Sequence, residues 1–467
     1  MIMSADLTRR RFIRQSMGLL SALSLACRTK SGLQPRPNII FFLADDLGSG
    51  DLGCYGNTEI STPNIDGLAR QGVKFTAFYA NAPECTPTRT ALLTGRYQHR
   101  VGGLECALGI GNVGRYDDAI RLRQTRDMGL PVEEVTLARM LKDAGYHTAL
   151  YGKWHLGYES KFSPNAHGFD SAFYAIGGAM DYFHHVEPPP SGLKALYRDG
   201  QQIEQHGYFT RQITDECLRF LDQQTRADPF FLYVPYTAPH SPYQGPDDDR
   251  AEPLPDDSPL WNQSRGPAAT YRAMIEEMDH SIGTVLDKLR EKQLQDNTLV
   301  VFMSDNGASR SGSNGRFRDF KGRLFEGGIR VPCIASWPGV LTPGAVSEQP
   351  CMSMDFAAST LAAAGVEPPA GRSLDGIDIL EQVRGGGPVI ERTLFWRARR
   401  GEMTRRAVRH GDLKYIHEKS AAGEQEVLFD LAQDPEESEN LLPDREREAA
   451  VLKQLLRDWE GEVKHKR

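Results

Sequence analysis

The sequence predicts an α/β fold: a large mixed, mostly parallel β-sheet sandwiched by helices, with a smaller C-terminal antiparallel sheet plus helix. Three observations predict it. The continuous apolar runs at 37–44 (PNIIFFLA), 230–234 (FFLYV) and 298–303 (TLVVFM) read as strands buried on both faces, the habit of parallel sheets. Strand and helix patterns alternate up to about residue 365. From about residue 385 the texture changes to short strand candidates separated by turns, which suits a small antiparallel sheet. The expected organisation is an N-terminal segment over 1–26, a large α/β domain over 37–384 and a C-terminal subdomain over 385–467.

In chain order, Arg9, Arg10, Arg11 and Arg14 precede the apolar run 17–26 (MGLLSALSLA). A basic segment, a short apolar core and small residues describe an export signal, too short to span a membrane as a stable helix. The arginine pattern resembles a twin-arginine signal, which exports folded proteins. The expected location is periplasmic or extracellular, with cleavage before Cys27. Cys27 is also a candidate lipid anchor, although residues 24–27 (SLAC) make a poor lipobox.

The strand 37–44 ends in Asp45 and Asp46. A helix follows over 65–71 with Gly72 as its stop, then a strand over 73–78. The stretch 85–96 (CTPTRTALLTGR) puts a thiol at the mouth of a short helix. Pro87 suits its first turn, where a missing N–H is no loss, and Gly95 ends it. The helix N-terminus and Arg89 would together stabilise an anion at Cys85. Residues 98–131 show no period and read as a long loop over the site. Thr136 caps a helix that stops at Gly145, and the strand 147–151 runs into 152–157 (GKWHLG). Residues 158–208 are loop-rich, and 247–259 is an acidic, Pro-rich exposed excursion. The clearest helix is 270–292, where Met274, Met278, Ile282, Val285 and Leu289 recur at core spacing. The strand 298–303 ends in Asp305 and Asn306 after Ser304. The strand candidates 394–396, 407–408, 413–416 and 427–430 and a helix over 449–462 complete the chain.

With 467 residues, 40% hydrophobic and 25% charged, the composition is that of an ordinary globular protein. Net charge is −7, and removing residues 1–26, with four arginines against Asp6, makes it −10. That argues against a nucleic-acid partner but leaves room for a basic pocket that takes a polyanion. Seven sparse cysteines do not read as a disulfide framework.

Two buried strands end in oxygen-ligand pairs, Asp45–Asp46 and Asp305–Asn306. The carboxyl ends of parallel strands face the ligand crevice, and carboxylates gathered there need a cation. Hard oxygen ligands favour Ca²⁺ or Mg²⁺ over Zn²⁺. Lys153 and His155 sit past another strand end, on one face of an extended stretch. His240 lies between two prolines, and Lys321 in 320–330 (FKGRLFEGGIR). Singly, each has an ordinary structural explanation.

Together these segments resemble the type I, formylglycine-dependent sulfatases, the arylsulfatase-like branch of the alkaline phosphatase superfamily. The resemblance rests on 37–46, the Cys-x-Pro-x-Arg and Leu-Thr-Gly-Arg patterns of 85–96, 152–157 (GKWHLG), 238–242 (APHSP), 304–307 (SDNG), 321–332 (KGRLFEGGIRVP) and the closing segment 429–441. The family usually has Ser, sometimes Ala, where this chain has Thr88. The resemblance implies a catalytic domain over 37–384 that hydrolyses sulfate monoesters. Asp45, Asp46, Asp305 and Asn306 would bind one Ca²⁺, which also contacts residue 85. A maturation enzyme would convert Cys85 to 3-oxoalanine (formylglycine), in the cytosol before folding and export. The hydrated aldehyde would attack sulfur through one hydroxyl. Arg89, Lys153 and Lys321 would stabilise the developing charge. His240, with Lys321, would protonate the leaving alcohol, and His155 would position the diol and help it expel sulfate. The expected substrate is a sulfated small molecule or polysaccharide, preferably a sulfated carbohydrate, with Asp181, Tyr182, His184, His185, Arg316 and Arg318 as candidate contacts. Two readings compete: a phosphate or phosphonate ester hydrolase of the same superfamily, and an inactive sulfo-glycan-binding relative.

Overall fold

Every residue of Asn38–Ala44 (β1) is buried, so this strand must be covered on both faces and paired on both edges. The computed structural model describes residues 36–101, 104–109, 124–262, 264 and 266–463. The expected signal over 1–26 and the Cys27 anchor therefore lie outside the described residues. The strands that follow β1 are β2 (Val73–Phe75), β3 (Phe78–Tyr79), β4 (His147–Lys153), β5 (Ser171–Ala175), β6 (Leu196–Arg198), β7 (Gln201–Gln202), β8 (Phe230–Pro235), β9 (Thr298–Ser304), β10 (Cys333–Ser336), β11 (Ala345–Ser347) and β12 (Cys351–Met352). Ten of these strands form one sheet in the order β11-β2-β10-β9-β1-β8-β4-β5-β6-β7. Its centre, β9-β1-β8-β4-β5, is parallel throughout, and antiparallel pairs with β10 and β6 flank it.

The helices Pro63–Gln71, Phe209–Asp222 and Ala268–Glu291 pack on one another, as do Cys85–Thr94, Leu137–Asp143 and Ser353–Ala364. These two groups sandwich the sheet. Tyr271, Met274, Ile275, Met278, Ile282, Val285 and Leu289 form the buried stripe of the long helix, as its period predicts. No helix among the described residues is long and apolar enough to cross a membrane.

Three sequence expectations need correction. The strand read over 73–78 is two strands: β2 belongs to the large sheet, whereas β3 pairs with β12. The ladder breaks at Thr76, whose carbonyl is taken by Arg330 Nε at 2.7 Å. The loop-rich stretch 158–208 contains β5, β6 and β7, short strands whose signal is lost among Gly and Pro. The helix Phe209–Asp222 was not predicted at all. Its apolar stripe is clear, but Tyr208 stands at the N-cap and supplies no side-chain cap.

The C-terminal sheet is a meander, β13 (Thr393–Arg400), β14 (Met403–His410), β15 (Leu413–Ser420) and β16 (Gly423–Asp430). These strands are longer than the apolar cores predict, because outward-facing Arg, Lys and Glu extend them. Gly401 and Gly411, at φ of 63° and 58°, make the first two tight turns. The final helix, Glu446–Val463, packs on β14 and β15.

A buried polar cluster locks this sheet to β3 and to the segment 326–330. Lys414 of β15 donates to Glu326 Oε1 at 2.7 Å and pairs with Glu437 at 2.9 Å, all three side chains being fully buried. Glu326 Oε2 accepts from the Tyr79 hydroxyl at 2.7 Å and from Arg330 at 3.1 Å. Burial alone would raise the Glu326 carboxyl, but Lys414 and Arg330 bring it down to about 2. Lys414→Met leaves Glu437 buried without its cation and Glu326 with Arg330 in place of two cations. It should cost roughly 3–5 kcal/mol of stability, measured as a lower denaturant midpoint.

Candidate active site

β1 and β9 pair in register, Ala44 opposite Ser304, so Asp45 and Asp305 leave two neighbouring strands at the same level. The Asp305 N–H donates to the Ala44 carbonyl at 3.1 Å, one step beyond the strands. The Asp45 N–H donates to the Ala238 carbonyl at 3.0 Å, tying in the segment that carries His240. β4 brings Lys153 in from the far side of β8. At Gly152 a Cβ would lie 1.9 Å from the Pro235 carbonyl oxygen, so only glycine lets the chains approach there.

The helix Cys85–Thr94 is buried over its whole length and ends on Gly95 at φ 68°, whose N–H bonds back to Ala91. Cys85 Sγ lies 3.3 Å from Asp45 Oδ1. One turn on, Arg89 pairs with Asp305 Oδ2 through Nε at 2.9 Å and Nη2 at 2.8 Å, and donates to the Lys153 carbonyl at 3.1 Å. Lys153 Nζ lies 2.5 Å from Asp45 Oδ2. Lys321 Nζ bridges the Asp46 oxygens at 2.8 and 2.9 Å. Asn306 Nδ2 donates to Asp46 Oδ1 at 2.8 Å.

The donor set fits a hard cation. Ligand atoms of Asp45, Asp46, Cys85 and Asp305 all lie within 4.8 Å of one another, and all four residues are buried. Asn306 Oδ1 is buried beside them without a hydrogen-bond partner among the described residues. Burial and the neighbouring Asp45 push the Asp305 carboxyl up to about 6, against the pull of Arg89, the signature of crowded negative charge. For Asp46, burial is outweighed by Lys321 and His240, which bring it down to about 2. Burial raises the Cys85 thiol well above its usual range, and Asp305 and Asp45 add to this. An unmodified Cys85 would thus be a neutral thiol here, a poor nucleophile.

Two histidines border the thiol. His155 Nε2 bonds the Leu108 carbonyl, so it carries the proton, and Nδ1 remains an acceptor with no hydrogen-bond partner among the described residues. Burial, Lys153 and Arg89 keep this ring neutral. His240 Nδ1 donates to the Ser241 carbonyl at 2.6 Å, and Nε2 stands 3.8 Å from Asp46 Oδ2. Burial and Lys321 bring His240 down to about 3. Asp46 and His155 both adopt left-handed backbone, at φ 64° and 56°, a strain that persists only where the surroundings over-determine it.

Cys85, His155, His240 and Lys321 open into a cavity of about 590 Å³. Every residue expected to act in the site is therefore within one cluster. The six candidate substrate contacts are not on the cavity wall. Asp181 is buried, accepting from the Phe183, His184 and Leu254 N–H groups. Tyr182 donates to the His240 carbonyl at 3.0 Å and so holds that segment. His185 is buried against Phe209. His184 packs on His206. Arg316 lies over Phe317, and Arg318 donates to the Glu437 carbonyl. The wall is instead formed by Glu84, Tyr158, Glu187, Arg310 and Arg400, with Leu108 and Pro188–Pro190. Arg310, five residues past Asp305, could have been found by its distance from that strand end. Arg400 carries no local signal.

The sulfatase family model matches residues 37–366, and a model of the N-sulphoglucosamine sulphohydrolase C-terminal region matches 315–464. The chain belongs to the sulfatase family. It is a sulfuric ester hydrolase. N-acetylgalactosamine-6-sulfatase of Homo sapiens is 36% identical over 384 residues, covering 78% of this chain and 69% of that one. Arylsulfatase A of Homo sapiens is 34% identical over 473 residues, covering 91% and 87%. The crystal structure of Ps i-CgsB in complex with k-i-k-neocarrahexaose superposes with a TM-score of 0.77 at 29% identity, over 92% of this chain and 93% of that one. A phosphonate monoester hydrolase of Agrobacterium radiobacter shares the fold, with a TM-score of 0.63 at 21% identity, over 91% and 95%.

The donor set predicts a metal response in this sulfatase independent of turnover. Ca²⁺ at a hundred times its dissociation constant should add about 2.7 kcal/mol of stability, seen as a higher melting temperature that a chelator reverses. Asn306→Ala should weaken that response.

Proposed function

We propose that this sulfatase releases sulfate from a sulfated carbohydrate, with Cys85 converted to formylglycine and one Ca²⁺ held by Asp45, Asp46, Asp305, Asn306 and residue 85. The observation that carries the reading is the cavity floor, where Cys85 Sγ sits 3.3 Å from Asp45 inside a buried cluster of hard ligands. Ca²⁺ would supply charge neutralisation for the carboxylates and for the sulfuryl oxygens. The hydrated aldehyde would supply two hydroxyls on one carbon, one to take the sulfuryl group and one whose deprotonation releases it as sulfate.

The chain's own residues divide the remaining work. Arg89, Lys153 and Lys321 hold negative charge on the floor by pre-oriented hydrogen bonds. His240, with Lys321 beside it, delivers the proton to the leaving alcohol. His155 Nδ1, an unprotonated acceptor with Nε2 anchored on Leu108, takes the hydroxyl proton of residue 85.

A carbohydrate substrate is favoured by the size of the cavity, since sites of roughly 300–1,000 Å³ hold drug-sized ligands and a sulfate alone fills little of it. The named relatives point the same way: one acts on N-acetylgalactosamine 6-sulfate by its name, and another holds neocarrahexaose. Export through the Arg9–Arg11 signal and aldehyde formation by a maturation enzyme belong to the same reading.

The test is sulfate release from a panel of sulfated mono- and polysaccharides, with phosphate and phosphonate esters as controls. Sulfate release is expected, and Cys85→Ala should abolish it. A peptide spanning residue 85 should carry an aldehyde oxygen in place of the thiol sulfur. His240→Ala should lower kcat about 10²–10⁴-fold. Turnover of phosphonate but not sulfate esters by aldehyde-bearing enzyme would overturn the reading. An unmodified residue 85 in fully matured protein would point to a binding protein instead.

A further inference from the structure

The cavity floor is balanced for one anion. Arg89, Lys153 and Lys321 are each paired with Asp45, Asp46 or Asp305, so a bound divalent cation leaves them charge for a single sulfate. The rim carries further cations. Arg310 is exposed, and its guanidinium lies over Phe320, 3.7 Å from the ring centroid. It makes no ion pair among the described residues. Stacking holds the group in place while leaving its N–H donors for a ligand. Arg400 sits at the β13 end of the hairpin, its side chain 47% exposed, 3.1 Å from Glu84. Glu84 also accepts the Ala107 N–H at 2.8 Å, so it keeps a partner if Arg400 turns to a ligand. The guanidinium is half exposed while Glu84 is buried, so Arg400 can meet a ligand at its solvent-facing edge with the Glu84 contact kept.

The other side of the cavity differs in character. Pro188, Pro189 and Pro190 present apolar surface beside Glu187, Ser191 and Tyr158. Glu187 is buried, accepts from Ser191 at 2.6 Å, and is raised above the usual carboxylate range by burial. That side suits uncharged sugar hydroxyls and a ring face, and would repel a second anion.

We infer that Arg310 and Arg400 form an anion subsite on the cavity rim, so that the preferred substrate carries a second negative group beside the sulfate that is hydrolysed. This deepens, and rests on, the sulfated-carbohydrate reading above. The recognised chemistry is a planar or tetrahedral oxyanion, either a further sulfate or a uronate carboxylate. Arginine takes either in a two-point contact.

The test compares kcat/KM on three probes: p-nitrophenyl sulfate, which has one anionic group; glucosamine-2-N,6-O-disulfate; and a disaccharide joining a sulfated hexosamine to glucuronate. Arg310→Gln and Arg400→Gln should each lower kcat/KM on a dianionic probe about tenfold to a hundredfold more than on p-nitrophenyl sulfate, mainly through KM. Arg310→Lys should recover part of the loss. The arm with the larger effect, disulfate or glucuronate, identifies the anion. Equal losses on all three probes, or none, would overturn the subsite while leaving the sulfatase reading intact. No sulfate from any probe with aldehyde-bearing wild-type enzyme would instead sink the reading on which the subsite rests.

Discussion

Three carboxylates held out of water at the ends of two adjacent strands are the constraint on which the rest of the structure depends. Asp45, Asp46 and Asp305 are all essentially inaccessible, and buried charge is tolerated only when paired or coordinated. The protein answers with three cations from three different segments: Arg89 from a helix, Lys153 from β4 and Lys321 from the loop after β9. Fixing these pairs fixes the relative positions of all those segments. Burial and the neighbouring Asp45 still raise the Asp305 carboxyl against the pull of Arg89.

The C-terminal sheet is tied into the same arrangement. Glu326 precedes Gly327 and Gly328, and the Gly328 carbonyl accepts the N–H of Gly307, next to Asn306. A Cβ at Gly307 would lie 1.8 Å from the Gly327 carbonyl oxygen, so the two segments are in direct backbone contact. Lys414 from the second sheet and Glu437 from the segment after it grip Glu326. The meander thus braces the loop that carries Lys321 and also contributes Arg400 to the rim. A substitution in β15 can therefore reach the buried carboxylates without touching them.

The floor was legible in the sequence because its residues sit at strand ends and in short, dense patterns. Asp45, Asp305, Lys153 and His240 each follow a buried run, and register alone brings them together. The rim was not legible for the opposite reason. Arg400 reaches the cavity only through the docking of a separate sheet, and Glu187 through a loop after Gly177 and Gly178. Asp181 to His185 looked like a polar substrate loop, yet Asp181 spends its oxygens on backbone N–H groups and Gln244. Polar composition cannot distinguish a loop that satisfies itself from one that awaits a ligand. The helix Phe209–Asp222 and the break at Thr76 depend likewise on non-local partners.

The two histidines show how one residue type can take opposite parts. Each gives one ring N–H to a backbone carbonyl, His155 through Nε2 and His240 through Nδ1, so their tautomers are opposite and their remaining nitrogens differ. The acceptor nitrogen of His155 has Lys153 and Arg89 as its charged neighbours, which disfavour protonation. His240 faces Asp46 across 3.8 Å, an anion that favours it, opposed by Lys321. The balance at His240 therefore turns on how strongly Asp46 holds Lys321. A substrate sulfate that draws Lys321 toward itself would free Asp46 to support a protonated imidazole. A general acid there would be charged when the leaving oxygen is in place and neutral otherwise. His155 has no such partner, and burial with Lys153 keeps its imidazole neutral.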